Sequence, residues 1–176
     1  MRAPLAFICR YPVTVTLCLL LFQLGVVSAM GAENFRCAPT PWDEIGPFYR
    51  PGAPVRSTIG HGYELSGTVR SARDCSPIAN ARIEVWQVGP DGQYDDAHRA
   101  TLHSDRKGRY RLTTSYPPPY GGGKAHIHFV VDARGFDGVI TKHYPLKGAK
   151  KARFDLVLPP ESRESGRGRD PLGRPR

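Results

Sequence analysis

Between Ala125 and Val131 the chain alternates. Ala125, Ile127, Phe129 and Val131 are apolar, and His126, His128 and Val130 stand between them. A two-residue period is that of a half-buried β-strand, because successive side chains leave opposite faces. The two imidazoles therefore share a face, about 7 Å apart along the backbone, and both can reach one metal ion. The approach to this strand is unusual. Tyr116-Pro117-Pro118-Pro119-Tyr120 is a stiff proline run and Gly121-Gly122-Gly123 a flexible glycine run. Prolines fix φ and hold Tyr120 at a set distance from the sheet, while the glycines let the chain double back.

The same two-residue logic recurs along the chain with short breaks. Tyr63 to Arg70, Ala81 to Val88, Arg109 to Thr114, Ala125 to Asp132, Val139 to Tyr144 and Ala152 to Leu158 read as strands. Gly, Pro, Asn, Asp and Ser separate them, and no segment sustains a 3.6-residue period. The pattern predicts an all-β fold, an antiparallel β-sandwich or barrel, over 55–160. Residues 30–54 are too rich in proline for helix or central strand, yet hold Trp42, Ile45, Phe48 and Tyr49. That much apolar surface predicts an irregular N-terminal arm packed on the domain. Residues 161–176, rich in Gly, Pro and Arg without apolar period, read as a disordered basic tail.

Residues 1–29 read as a secretory signal peptide. Arg2 and Arg10 precede the apolar run Val13 to Val27, and Val27-Ser28-Ala29 is a small-residue cleavage site. The run is short for a membrane span, so no membrane attachment is expected after cleavage. Its removal leaves 147 residues, one domain with one core, and lowers the formal charge from +9 to +7. Part of that charge lies in the tail; on an exported chain it argues solubility rather than nucleic-acid binding. Cys9 and Cys18 leave with the leader. Cys37 and Cys75 remain, an even pair in an oxidising compartment (periplasm or medium), and predict one disulfide.

Gly92-Gln93-Tyr94 places a second tyrosine just past a turn. A phenol titrates near pH 10 and seldom binds weakly acidic metals, but a hard trivalent ion deprotonates it. Two phenolates and two neutral imidazoles would hold ferric iron, offset its charge and leave room for hydroxide or substrate.

The residues that gather here resemble the intradiol ring-cleavage dioxygenase family, the catechol and protocatechuate dioxygenases, and within it a short exported single-domain type. The resemblance runs from Trp42 to Pro160. It is carried by Gly46-Pro47-Phe48-Tyr49, Ser66-Gly67-Thr68-Val69, Pro77-Ile78-Ala79-Asn80-Ala81, Val85-Trp86-Gln87, Gly92-Gln93-Tyr94, Tyr110-Arg111-Leu112-Thr113-Thr114, Pro119-Tyr120 and Ala125-His126-Ile127-His128-Phe129. It implies a non-haem Fe(III) centre with ligands Tyr94, Tyr120, His126 and His128. Tyr116 competes with Tyr120, but the family's ten-residue step from Tyr110 selects Tyr120. The resemblance also implies that Tyr120 yields its place to a catechol and takes up a substrate proton. The ring then opens between the two hydroxyl-bearing carbons, with dioxygen, to a muconate-type diacid. Tyr49 and Lys142 are candidate substrate-pocket residues.

Two positions depart from the pattern. Gly123-Lys124 replaces an Arg-Pro pair whose arginine steadies negative charge on the substrate, and Lys142 replaces a glutamine. Loss of such outer groups lowers rate by orders of magnitude; Lys142 is a candidate to restore the missing cation. The competing readings are a non-catalytic secreted β-sandwich binding module and another His-x-His metal enzyme. A copper/zinc superoxide dismutase needs more histidines in fixed places, and a copper oxygenase brace needs an N-terminal histidine that cleavage after Ala29 or Ala32 does not expose. His61, His98, His103 and His143 read as surface or packing residues, with His143 nearest the site. Which catechol is the substrate, and the oligomeric state, are not written in the sequence.

Overall fold

The computed structural model describes residues 34–161 and Leu172. The predicted leader lies outside these residues, as does the predicted tail except Glu161 and Leu172. The described residues form eight strands and no helix: β1 (Tyr63–Ser71), β2 (Arg82–Trp86), β3 (Arg99–His103), β4 (Arg109–Thr114), β5 (Ile127–Asp132), β6 (Val139–His143), β7 (Lys151–Arg153) and β8 (Leu156–Leu158). One sheet runs β4-β1-β7, with β8 also paired to β1; the other runs β3-β2-β5-β6. The predicted all-β sandwich is what forms. Its pairs are antiparallel except those of β1 with β7 and β8, which are parallel.

The core between the sheets follows from alternation. Leu65 and Val69 of β1, Ile83 and Val85 of β2, Leu112 of β4 and Ile127, Phe129 and Val131 of β5 fill one buried cluster. Its aromatic centre is Phe129, edge-on to Tyr110 at 6.3 Å and to Phe154 at 5.4 Å. At this density a missing side chain leaves a void the neighbours cannot close.

Local chemistry accounts for three differences from the sequence reading. The single closing strand expected over 152–158 is two. Between them the Phe154 N–H donates to the Ser66 carbonyl, and the Asp155 carboxylate accepts from the Thr68 N–H at 2.8 Å. A Cβ on Gly67 would lie 1.9 Å from the Phe154 oxygen, so this crossing requires glycine. β3 was not foreseen: Arg99-Ala100-Thr101-Leu102-His103 carries a weak β signal, and its place is set by pairing along β2. Finally, β5 is not half-buried. His128 and Val130, on its outer face, are as covered as the core residues.

The cover is the N-terminal arm. Ile45, Tyr49 and the loop residue Tyr94 pack against Trp86, Val130 and Ile140, forming a second, smaller apolar cluster. Hydrogen bonds pin the arm: Thr40 N–H to the Val157 carbonyl, Asp43 N–H to the Ile140 carbonyl, and Thr101 N–H to the Pro54 carbonyl. The predicted disulfide joins Cys37 to Cys75 across 5.5 Å between Cα atoms. Within the arm Trp42 stays largely in solvent, 67% exposed.

Candidate metal centre

β5 and the residue before it place the two histidines. The Nε2 atoms of His126 and His128 stand 3.0 Å apart. The Nδ1 of His126 lies 2.7 Å from the Lys124 carbonyl oxygen, which can only accept, so Nδ1 carries the proton and Nε2 presents its lone pair. His128 is 4% exposed and stacks flat on Trp86, its direct neighbour across the β2–β5 ladder, with ring centres 4.7 Å apart. Burial above all, then electrostatic repulsion from the His126 and Lys142 side, pushes its pKa down to about 3. His128 is thus a neutral imidazole at any working pH, with a lone pair to give.

Tyr94 sits in the loop joining β2 to β3. That loop is fixed by its own turn, Gly89 N–H to the Gln93 carbonyl and Gly92 N–H to the Gly89 carbonyl. Tyr94 stacks on Phe48 of the arm at 4.4 Å, meets Tyr120 edge-on at 5.2 Å and lies 6.3 Å from His128 by ring centres. Burial and the neighbouring Tyr120 raise its phenol pKa. Tyr120, on the proline–glycine loop, is the more exposed phenol; a turn from Gly123 N–H to its carbonyl fixes its backbone. Tyr116 packs elsewhere, edge-on to Tyr63, with its hydroxyl donating to the Pro145 carbonyl at 3.3 Å.

The rings of Tyr94, Tyr120 and His128 thus form one group, and His126 joins it through its nitrogen. At imidazole–metal distances of about 2.1 Å, two nitrogens 3.0 Å apart subtend about a right angle at a shared ion, the spacing of adjacent ligands. The buried Nδ1 of His128 has no partner. Among the described residues there is no group of three or more His, Cys, Asp or Glu that could hold a metal. A metal here would be held by this mixed phenol and imidazole set, and the donors fit a hard ion of high charge.

The other candidate residues lie nearby in supporting positions. Tyr49 leans on Trp86 and donates its hydroxyl to the buried Glu84 at 2.6 Å. Lys142 is the cross-strand neighbour of His128 on β6, but its ammonium is taken by Asp43 of the arm at 2.9 Å. The Tyr144 hydroxyl donates to the other Asp43 oxygen at 2.8 Å. His143 faces the opposite way, its Nε2 2.7 Å from the Tyr63 hydroxyl, and does not border the donors. Sequence reasoning missed Asp43 and the part of Gly46, where a Cβ would lie 3.1 Å from Cε1 of His128. The Gly46-Pro47-Phe48 motif marked the second; nothing local marked the first.

No protein-family model matches the chain. A chlorocatechol 1,2-dioxygenase of Pseudomonas putida is 30% identical over 162 residues, which cover 69% of this chain and 62% of that protein. A hydroxyquinol 1,2-dioxygenase of Rhodococcus opacus is 34% identical over 147 residues, 65% of this chain and 49% of its own length. The chain therefore spans about half to three fifths of these curated relatives. Among solved structures, the dioxygenase domain of a dioxygenase–carbohydrate-binding fusion from Streptomyces sp. SirexAA-E is 25% identical, with a TM-score of 0.63, covering 69% of this chain and 99% of that one. Sequence relatives, fold and the converging phenols and imidazoles together say that the chain belongs to the intradiol ring-cleavage dioxygenase family.

Proposed function

We propose that this chain is a non-haem iron dioxygenase that opens a catechol-type ring between its two hydroxyl-bearing carbons, with Tyr94, Tyr120, His126 and His128 holding Fe(III). The observation that carries the reading is the pair of Nε2 atoms 3.0 Å apart, with Tyr94 packed between the His128 ring at 6.3 Å and the Tyr120 ring at 5.2 Å. When bound, the ferric ion supplies a Lewis acid that lowers phenol and catechol pKa values and accepts electron density from the catecholate.

The chain's own residues do the rest. His126 and His128 offer fixed ring nitrogens, one oriented by the Lys124 carbonyl and the other by the Trp86 face. Tyr94, pressed under Phe48, is the stationary phenol. Tyr120, the more exposed one, would be the phenol able to take the proton that a catechol oxygen gives up. Both atoms of dioxygen end in the product: one carbon–carbon bond and the O–O bond break, two carboxylates form, and no nicotinamide or flavin is required.

Export is part of the proposal. The leader-like residues 1–29 and the Cys37–Cys75 bridge support it, since such bridges persist in oxidising compartments. The test is colour with chemistry. Iron-loaded protein should absorb visible light through its phenolate ligands, the band should shift on adding catechol, and oxygen uptake should match appearance of a ring-opened diacid. Colourless protein that takes up no iron would leave a non-catalytic binding module.

A further inference from the structure

Six large apolar side chains among the described residues are exposed, and four of them are not scattered. Phe48 and Tyr120 belong to the donor group. Tyr144 (47% exposed) and Leu146 (80%) line a cleft of about 530 Å³ beside it. Tyr116 and Pro119, from the proline run that delivers Tyr120, line it too. Surface apolar groups gathered around a cleft mark a ligand rather than chance.

The cleft adjoins the donors through three residues. The Tyr144 ring lies 6.1 Å from that of His126, Pro119 precedes Tyr120, and the Lys124 carbonyl holds Nδ1 of His126. Its volume falls within the usual range for small-molecule sites and far exceeds the needs of a bare benzenediol. Its two charges are both cationic. Lys124 and Lys147 line it, and neither makes an ion pair among the described residues.

On the dioxygenase reading, which this inference rests on, we propose that the cleft receives the side chain of an extended catechol: an apolar arm carried by the ring and ended by a carboxylate. Tyr144, Leu146 and Tyr116 cover the arm, and Lys124 and Lys147 meet the anion. A plain catechol leaves the cleft unused.

The probes are 3-(3,4-dihydroxyphenyl)propanoate, its methyl ester and catechol, with kcat/KM measured on the iron-loaded chain. The acid should lead its ester by about tenfold, as a charged hydrogen-bonded contact provides. K124A/K147A should bring that ratio near one, and K124E/K147E should put the ester ahead. K150A, outside the cleft, should leave the ratio as it was. If the parent chain cleaves catechol yet treats acid and ester alike, or the lysine variants keep the ratio, the cleft assignment is overturned while the dioxygenase stands. If none of the three compounds is opened by protein that has bound iron, both fall.

Discussion

β5 has two faces, and they are buried equally but by different means. Ile127, Phe129 and Val131 point inward, against hydrogen-bonded strands of the facing sheet. His128 and Val130 point outward, and what covers them is the irregular arm, the β2–β3 loop and Leu172. The inner cover is continuous and apolar. The outer cover is held at a few polar points: Asp43 on Lys142 and Tyr144, Tyr49 on Glu84, Arg50 on Asp96. One alternation of side chains thus separates what holds the fold from what presents the candidate donors. The inner face tolerates no loss of volume, and the outer face tolerates no loss of orientation.

The most direct way to break that comparison is one substitution on each side. Phe129→Ala should destabilise the fold by about 3–5 kcal/mol, because Tyr110, Phe154 and their neighbours cannot close the void. His128→Ala should cost far less stability and abolish stable iron binding. Urea midpoints and metal content measure the two. An F129A protein of native stability, or an H128A protein that keeps iron, would put structure and chemistry on the same face after all.

A second prediction concerns a polar group on the inner side. Burial pushes the His143 pKa down to about 4 from an ordinary 6.5, and its ring nitrogen pairs with Tyr63 inside the sandwich. Between those two pH values the unfolded chain binds a proton that the folded chain refuses. Stability therefore falls as pH drops from 6.5 toward 4, by up to about 3 kcal/mol at 1.36 kcal/mol per pKa unit. His143→Gln should flatten that part of the profile, with urea midpoints across the pH range as the measurement. An unchanged slope would place the acid sensitivity on the outer face instead.

The difference between the faces also explains what the sequence made legible. Alternation is local, so β1, β2, β4, β5 and β6 could be read, as could the shared face of His126 and His128. Tyr94 and Tyr120 came from the family pattern, since nothing in a loop's spacing says which phenol turns inward. The arm's path was not legible. Asp43 meets Lys142 across 99 positions of sequence, and no local rule links them. For the same reason Lys142 read as a free cation, whereas the structure shows it paired and 14% exposed. β3 was missed because its residues carry little propensity and the partner strand decides.

Asp43 is therefore where the outer cover can be loosened without touching a donor. Burial acts to raise its pKa, but hydrogen bonds from Lys142 and Tyr144 outweigh that and hold it below the usual carboxylate value. Tyr144, pushed up to about 12 by burial and by Asp43 itself, stays a donor. Asp43→Asn should weaken iron binding by less than the roughly 10–100-fold lost with a group bonded directly to a ligand, because Asp43 reaches the histidines only through Lys142 and Tyr144, and shift the phenolate–iron absorption band. Phe129 and its surroundings should be indifferent, leaving the urea midpoint nearly unchanged. Lys142→Met should reproduce part of the loss. If catechol turnover per bound iron is unchanged in K142M, Lys142 holds the arm and supplies no charge to the substrate.

The smallest expected effect lies at Gly46. Its φ of +73° is one that L side chains rarely adopt, and a Cβ there would meet Cε1 of His128 at 3.1 Å. Gly46→Ala combines a backbone cost of about 1 kcal/mol with a push of a few tenths of an ångström on one imidazole. The two parts are separable. Backbone strain lowers the urea midpoint of metal-free and iron-loaded protein alike. The push on His128 appears only with iron bound, as weaker binding and a displaced absorption band, because only then is the ring's position fixed from both sides. If G46A loses stability but binds iron as before, the arm adapts around the ring and the outer face is more forgiving than its tight packing implies. If it loses iron and little else, the glycine is there for the histidine.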